Sequence, residues 1–355
     1  MLASHPDLSG QLVPGYDFVR DASNSGDGDG IDSNPNDPGD NFGGASSFHG
    51  THVTGTVAAR GNNSLGVVGV AYTSKVMPIR ALGIDGGTTY DLEQSLRFAA
   101  GLSNDSNTTP AQRADIINMS LGDAPYTQSM QDLILQIRDS GVILIAAAGN
   151  DGSNIPDYPA AFDGVISVSA VDSQRRLTNY SNTGVQVDVA APGGDSSVDL
   201  TGDGYGDGVL STTGSEGAGG LTYVFAFVSG TYMAAPHVSG VIALMKSINP
   251  ALTPQDVDSM LASGELTTDI GVPGRDNLYG HGLINGQLAV LAALTSIGST
   301  PADNPRLVAS STSLNFGALT SELDLSLVNG GKGDLELLEI TISEPWLSIS
   351  PTSVD

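Results

Sequence analysis

Apolar residues in this chain fall into short dense runs, separated by segments in which they recur every three or four positions. The runs at residues 76–82, 116–121, 142–148, 165–171 and 187–190 are apolar on successive positions. A strand with one wet face alternates, so runs without alternation predict strands covered on both faces, as in a parallel sheet. Residues 91–102 and 129–139 carry the helical period instead. In the second, Met130, Leu133, Ile134 and Ile137 mark one face and Gly141 supplies the stop. Helical patterns return at 233–248, 254–262 and 285–294. Alternating strands and helices predict an α/β fold with a mainly parallel sheet between two helical layers. In such sheets the chemistry gathers at the carboxyl ends of the strands.

Two stretches break the pattern. Residues 21–44 are rich in Asp, Gly, Asn, Ser and Pro, and residues 195–220 have almost no apolar anchors before Leu221. Both read as long loops, which in a compact domain are functional or held by ions. Composition shifts after Ile297. Residues 298–305 read as a linker, and 314–316, 323–327 and 337–342 read as short β-strands with a turn at Asn329-Gly330-Gly331. The expected organisation is one large α/β domain over 1–296, a linker over 297–307, and part of a β-sandwich over 308–355.

Charge narrows the function. The chain has 39 acidic and 13 basic residues, a net charge of −26. That excludes nucleic-acid binding, which needs Lys and Arg against phosphate, and favours solubility, a salty medium or bound cations. No cysteine is present, so disulfides and thiolate metal sites are excluded. No stretch of eighteen apolar residues predicts a membrane span.

Two motifs carry the chemistry: His49-Gly50-Thr51-His52-Val53-Thr54-Gly55-Thr56 and Ser229-Gly230-Thr231-Tyr232-Met233-Ala234-Ala235-Pro236-His237-Val238-Ser239-Gly240. With Asn118-Met119-Ser120-Leu121-Gly122, Ala146-Ala147-Ala148-Gly149-Asn150, Tyr158-Pro159-Ala160 and Ala190-Ala191-Pro192-Gly193, they make six segments in one order. In these the chain, from Met1 to about Leu294, resembles the subtilisin-like serine peptidases (subtilases, peptidase S8). The resemblance implies a subtilisin-like three-layer fold and a secreted, bacterial-type endopeptidase. It also implies hydrolysis of polypeptides through an acyl-enzyme, with the enzyme's own propeptide as a further partner. His49 would be the general base, on a short helix whose inner face is Val53 and Val57. Asn150 would donate to the oxyanion. Ser120, Leu121 and Gly122 would form one wall of the substrate cleft, and Ala147, Ala148 and Gly149 the other. His52 and His237 read as structural.

The chain departs from the family at two places. The nucleophile position is Tyr232, whose oxygen lies at the far end of a rigid ring and whose phenol has an ordinary pKa of about 10. The family's catalytic aspartate lies on a strand reading roughly V-x-D-T-G, upstream of a segment like residues 2–8. Asp7 falls downstream of that position, and no such strand precedes Met1 in this sequence. The expectation is an internal start, a central strand supplied from outside this sequence, and no catalysis by the chain as given. The alternatives are a pseudoprotease that binds peptides without cutting and a calcium-stabilised surface module.

Calcium is expected at two acidic loops. Asp199, Thr201, Asp203 and Asp207 stand at positions one, three, five and nine of a calcium-loop spacing, with Gly204 at six and Tyr205 at seven. Leu210 occupies the place of the bidentate acid at twelve. Asp27, Asp29 and Asp32 form a shorter version of the same pattern.

Overall fold

A computed structural model of the chain describes residues 1–39, 46–217 and 219–299, together with Leu307–Ala309, Leu327–Asn329 and Ser348. Strand β1 (Tyr16–Asp17) pairs in parallel with β2 (Ile79–Arg80) as a separate two-stranded sheet. The run at 76–82 is therefore mostly not strand. Pro78 has no N–H to give a ladder, and its carbonyl instead accepts Tyr16 N at 3.1 Å. Arg80 closes this corner with a buried ion pair to Asp17 at 2.7 Å and a second, to Asp27, at 3.2 Å. A single turn, α1 (Ala22–Ser25), leads away from it.

The parallel sheet that the sequence predicts runs β3 (Ile116–Met119), β4 (Ile143–Ala147), β5 (Val165–Val171), β6 (Val189–Pro192). Strand β4 shows why its sequence does not alternate. Ile143, Ile145 and Ala147 enter one core, while Val142, Leu144 and Ala146 enter the other. Helices α3 (Thr89–Ala99) and α4 (Gln128–Asp139) cover the second core with Leu92, Leu96, Leu133 and Ile137. Thr88 and Asp91 start α3 with reciprocal side-chain-to-backbone bonds, each satisfying an amide the helix leaves orphaned.

Between α1 and α3 lies α2 (His49–Ala58), entered through Phe48 in a left-handed conformation at φ 44°. Its buried face is Thr51, His52, Thr54, Gly55, Thr56 and Ala58 rather than the expected Val53 and Val57. The reason lies in the segment 195–220, which is loop over 196–206 as expected but strand over most of the rest. After the short β7 (Gly194–Asp195), β8 (Asp207–Gly217) and β9 (Gly220–Val228) form a long antiparallel hairpin. Helix α2 lies across the hydroxyls of β8. Ser211 donates to His52 O and Thr212 to Thr51 O, each at 2.8 Å. A hydroxyl-bearing strand selects small and polar partners, so neither the strand nor the helix face shows in an apolar count.

Helix α5 (Thr231–Ile248) packs beneath the sheet, placing Ala234, Ala235, Val238, Ile242 and Met245 in the first core. Helix α6 (Pro254–Ala262) follows with a Thr253–Asp256 capping box. Strands β10 (Thr267–Thr268) and β11 (Leu283–Ile284) complete the six-stranded sheet beside β6, and α7 (Gly286–Ser296) adds Ala289 and Ala292 to the same core. The fold is thus α/β with a mainly parallel sheet covered on both faces.

The chain divides into two units, Met1–Ala293 and Leu294–Asp355. In the second, β12 (Leu307–Ala309) pairs antiparallel with β13 (Leu327–Asn329). The expected strands at 314–316 and 337–342, all but Leu327 of the one at 323–327, and residues 300–306 of the expected linker at 297–307 lie outside the described residues.

Gly55 is where α2 touches β8 most closely: a Cβ there would stand 2.2 Å from Thr212 Oγ1 and 2.4 Å from Ser211 Oγ. Gly55→Ala is expected to destabilise the fold by about 1–3 kcal/mol, read as a lower urea midpoint, because two fixed hydroxyls must move. An unchanged midpoint would show that the helix does not rest on these hydroxyls.

Candidate active site

The cleft grows from two neighbouring strand ends. Met119 of β3 pairs with Ala146 of β4, so Ser120, Leu121, Gly122 and Ala147, Ala148, Gly149 leave the sheet side by side. A relay of hydroxyls and one amide ties the first wall to α5. Ser239 donates to Asn118 Oδ1 at 2.8 Å, Asn118 Nδ2 to Ser120 Oγ at 2.9 Å, and Ser120 Oγ to Tyr232 O at 2.7 Å. The second wall is tied through Asn150, whose Oδ1 accepts both the N–H and the hydroxyl of Thr231 at 2.8 Å. With Oδ1 committed to two donors, the Asn150 Nδ2 group is the one left to donate into the cleft.

His49 opens α2 and Tyr232 lies in the first turn of α5. Their rings meet edge to face, with centroids 5.5 Å apart and planes at 85°. The phenol runs on toward the first wall, ending 3.2 Å from where a Cβ on Gly122 would stand. Burial, then the carboxylates of Asp157, Asp123 and Asp151, push the phenol above its ordinary pKa, while the Asn150 amide pulls it down. The phenol thus lies against the first wall.

The structure places the remaining candidates apart from this cleft. His52 is buried, with Nε2 at 3.0 Å from both Val209 O and Ala226 O, joining α2 to both strands of the hairpin. His237 donates from Nδ1 to Met233 O within α5. Asp7 accepts Asn63 Nδ2 and Val67 N, tying the loop after α2 to the chain start. In the acidic loops, Asp199 accepts the amides of Gly202, Asp203 and Gly204. Asp207 accepts Leu200 N and the hydroxyls of Ser173 and Thr201. Tyr205 stacks on Phe227. Asp27 faces Arg80, Asp32 accepts Asn34 N, and Asp29 is exposed. Among the described residues no three acidic or histidine side chains converge as a metal ion would need.

Three residues that shape the site carry no role in the sequence pattern alone. Thr231 locks Asn150. Buried Asn182 accepts Asp151 N and Ser153 N, fixing the turn after the second wall. Asp157 reaches the gap between the walls. The only signal for the first was its place beside the motif position Tyr232; the other two are polar residues in polar loops.

Two strand-end segments rich in small residues thus run side by side, with the Asn150 amide at the end of the second. That is the architecture of a subtilisin-like serine-type peptidase. The chain belongs to the subtilase family, whose family model matches residues 1–282. It is 39% identical over 309 residues to an extracellular protease of Xanthomonas campestris, covering 82% of this chain and 50% of that protein. It is 34% identical to subtilisin DY of Bacillus licheniformis, covering 81% of this chain and 86% of the relative. A solved structure of proteases from Pseudoalteromonas arctica superposes with a TM-score of 0.75 at 39% identity, covering 82% of this chain and 87% of that one. The chain spans about half the length of the first curated relatives it matches.

Burial holds the His52 imidazole below its ordinary pKa, against the two carbonyls, which raise it. Below about pH 6.5 the unfolded chain therefore takes up a proton that the folded chain refuses. Stability is full above that pH and falls as pH drops toward the depressed folded value. His52→Gln is expected to flatten the loss measured by urea unfolding between about pH 7.5 and about pH 5.5, by up to about 1.4 kcal/mol per pH unit. An identical slope in the variant would remove His52 from this role.

Proposed function

We propose that the chain is built as a secreted endopeptidase of subtilisin type whose cleft is filled by its own Tyr232, so that it hydrolyses peptides negligibly as given. The observation that carries this is the position of Tyr232, edge-on to His49 with its phenol against Gly122 of the first wall. With serine at that position, His49 would take the hydroxyl proton as the oxygen attacks the scissile carbonyl, then return it to the leaving amine. Asn150 Nδ2 would stabilise the oxyanion; in subtilisin, loss of such a donor costs about 10²–10³ in turnover. Tyrosine carries its oxygen past His49 and presents a ring where the carbonyl must enter. Secretion is supported by relatives that are extracellular proteases. Polypeptides are the proposed substrate class, on the strength of the family.

A fluorophosphonate reagent, which reports an activated nucleophile, is expected to leave the chain unlabelled. The Tyr232→Ser chain, with a strand bearing the family's aspartate fused ahead of Met1, is expected to be labelled and to cleave casein. Adding His49→Ala is expected to lower that rate by about 10³ or more. Labelling at Tyr232, or a rate indifferent to His49→Ala, would contradict the reading.

Calcium at the acidic loops is part of the same proposal. A cation at Asp199, Thr201, Asp203, Tyr205 and Asp207 would share carboxylate oxygens that now accept amides. One at Asp27, Asp29 and Asp32 would compete with Arg80 for Asp27. A native-state calcium ion at a hundredfold excess over Kd adds about 2.7 kcal/mol. The melting temperature is therefore expected to rise with calcium and fall with EDTA. A shift that survives Asp203→Ala with Asp207→Ala would move the ion to Asp27–Asp32 or to another site, and no shift would count against both loops.

A further inference from the structure

We propose that Asp157 selects the side chain accepted before the scissile bond, and that this side chain is basic, a lysine or an arginine. The inference rests on residues 120–122 and 147–149 being the walls of that subsite. Asp157 lies on the loop that follows Asn150. Its Oδ1 accepts Asp123 N at 2.8 Å, which fixes the carboxylate against the end of the first wall. Its Oδ2 then falls between the walls: it is 2.5 Å from where a Cβ on Gly122 would stand and 2.6 Å from where one on Gly149 would stand. Only glycine at both positions leaves space for this oxygen. Both walls therefore face one carboxylate oxygen, and the Tyr232 phenol also lies beside Gly122.

The carboxylate is half-buried, and it belongs to none of the ion pairs among the described residues. Burial pushes the Asp157 carboxyl up, with Asp123 and Asp151 adding to the effect and the Asp123 amide opposing it. A half-desolvated anion with no cation of its own gains from a cation carried in by a ligand. Lysine and arginine suit these walls in shape also. Their apolar stems can lie along the alanines of the second wall while the charged head reaches the carboxylate. A large apolar side chain would fill the same walls but leave the carboxylate desolvated and unpaired, which costs affinity.

The test does not need catalysis. Tyr232→Ala removes the phenol from beside Gly122 in the full chain, and titration calorimetry then measures acetylated tetrapeptides that end in arginine, lysine or norleucine. Because the chain carries a net charge of −26, any basic peptide is attracted to it, so the decisive comparison is with Asp157→Asn in the same background. Asparagine keeps an acceptor for Asp123 N and removes only the charge; Asp157→Ser, checked by its melting temperature, guards against a folding artefact. The arginine and lysine peptides are expected to bind about tenfold more tightly than the norleucine peptide, and Asp157→Asn to erase that ratio. A ratio that survives both variants, or tighter binding of norleucine, would overturn the assignment of Asp157 while leaving the peptide cleft standing. Absence of binding by every peptide would sink the cleft reading and this inference together.

Discussion

A helix that contains proline leaves one of its own carbonyls without a partner, and in α5 that carbonyl is Tyr232 O, four residues before Pro236. The Ser120 hydroxyl takes it at 2.7 Å. Four positions of the chain then hold one another: Pro236 frees the acceptor, Ser120 fills it, Asn118 orients Ser120, and Ser239 from the next turn of α5 orients Asn118. Asn150 adds a second tie at Thr231. The start of α5 is thereby fixed against the carboxyl ends of β3 and β4. Everything chemical in the cleft depends on that fit, because it decides where the side chain at position 232 points.

The other half of the site depends on a polar surface. His49 has its place because α2 rests on the hydroxyls of β8 and because His52 reaches two carbonyls of the hairpin. The two helices meet at the ring contact of His49 and Tyr232. The chain thus brings His49 and Tyr232 together by two means: apolar packing beneath the sheet with hydrogen bonds at its first turn for α5, and hydrogen bonding to the hairpin for α2.

That contrast explains what could be read from the chain beforehand. The parallel strands and the helices beneath them were legible, since burial on both faces forces apolar runs such as 142–148. Motifs also marked the segments that lie side by side at the ends of β3 and β4 and the helix that opens with His49. The β8–β9 hairpin was not, because Ser211, Thr212 and Thr213 are buried on hydroxyl contacts and look like loop residues. Val53 and Val57 misled for the same reason: on α2 the inner face is the polar one. Pro78 spoiled an apolar run that otherwise read as a strand. Asp157 could not be found at all from sequence, since its meaning comes from two glycines 35 and 8 residues before it whose missing side chains it occupies.

The central claim is that Tyr232 enters the cleft edge-on to His49. Nuclear Overhauser spectroscopy on chain labelled only at histidine and tyrosine rings tests it most directly, with Tyr232→Leu to assign the signal. The account predicts a cross-peak between the His49 and Tyr232 rings, as expected for edge-to-face rings with centroids 5.5 Å apart, that disappears in Tyr232→Leu. A spectrum in which the Tyr232 ring shows no contact with His49, and moves as freely as a surface tyrosine, would contradict it.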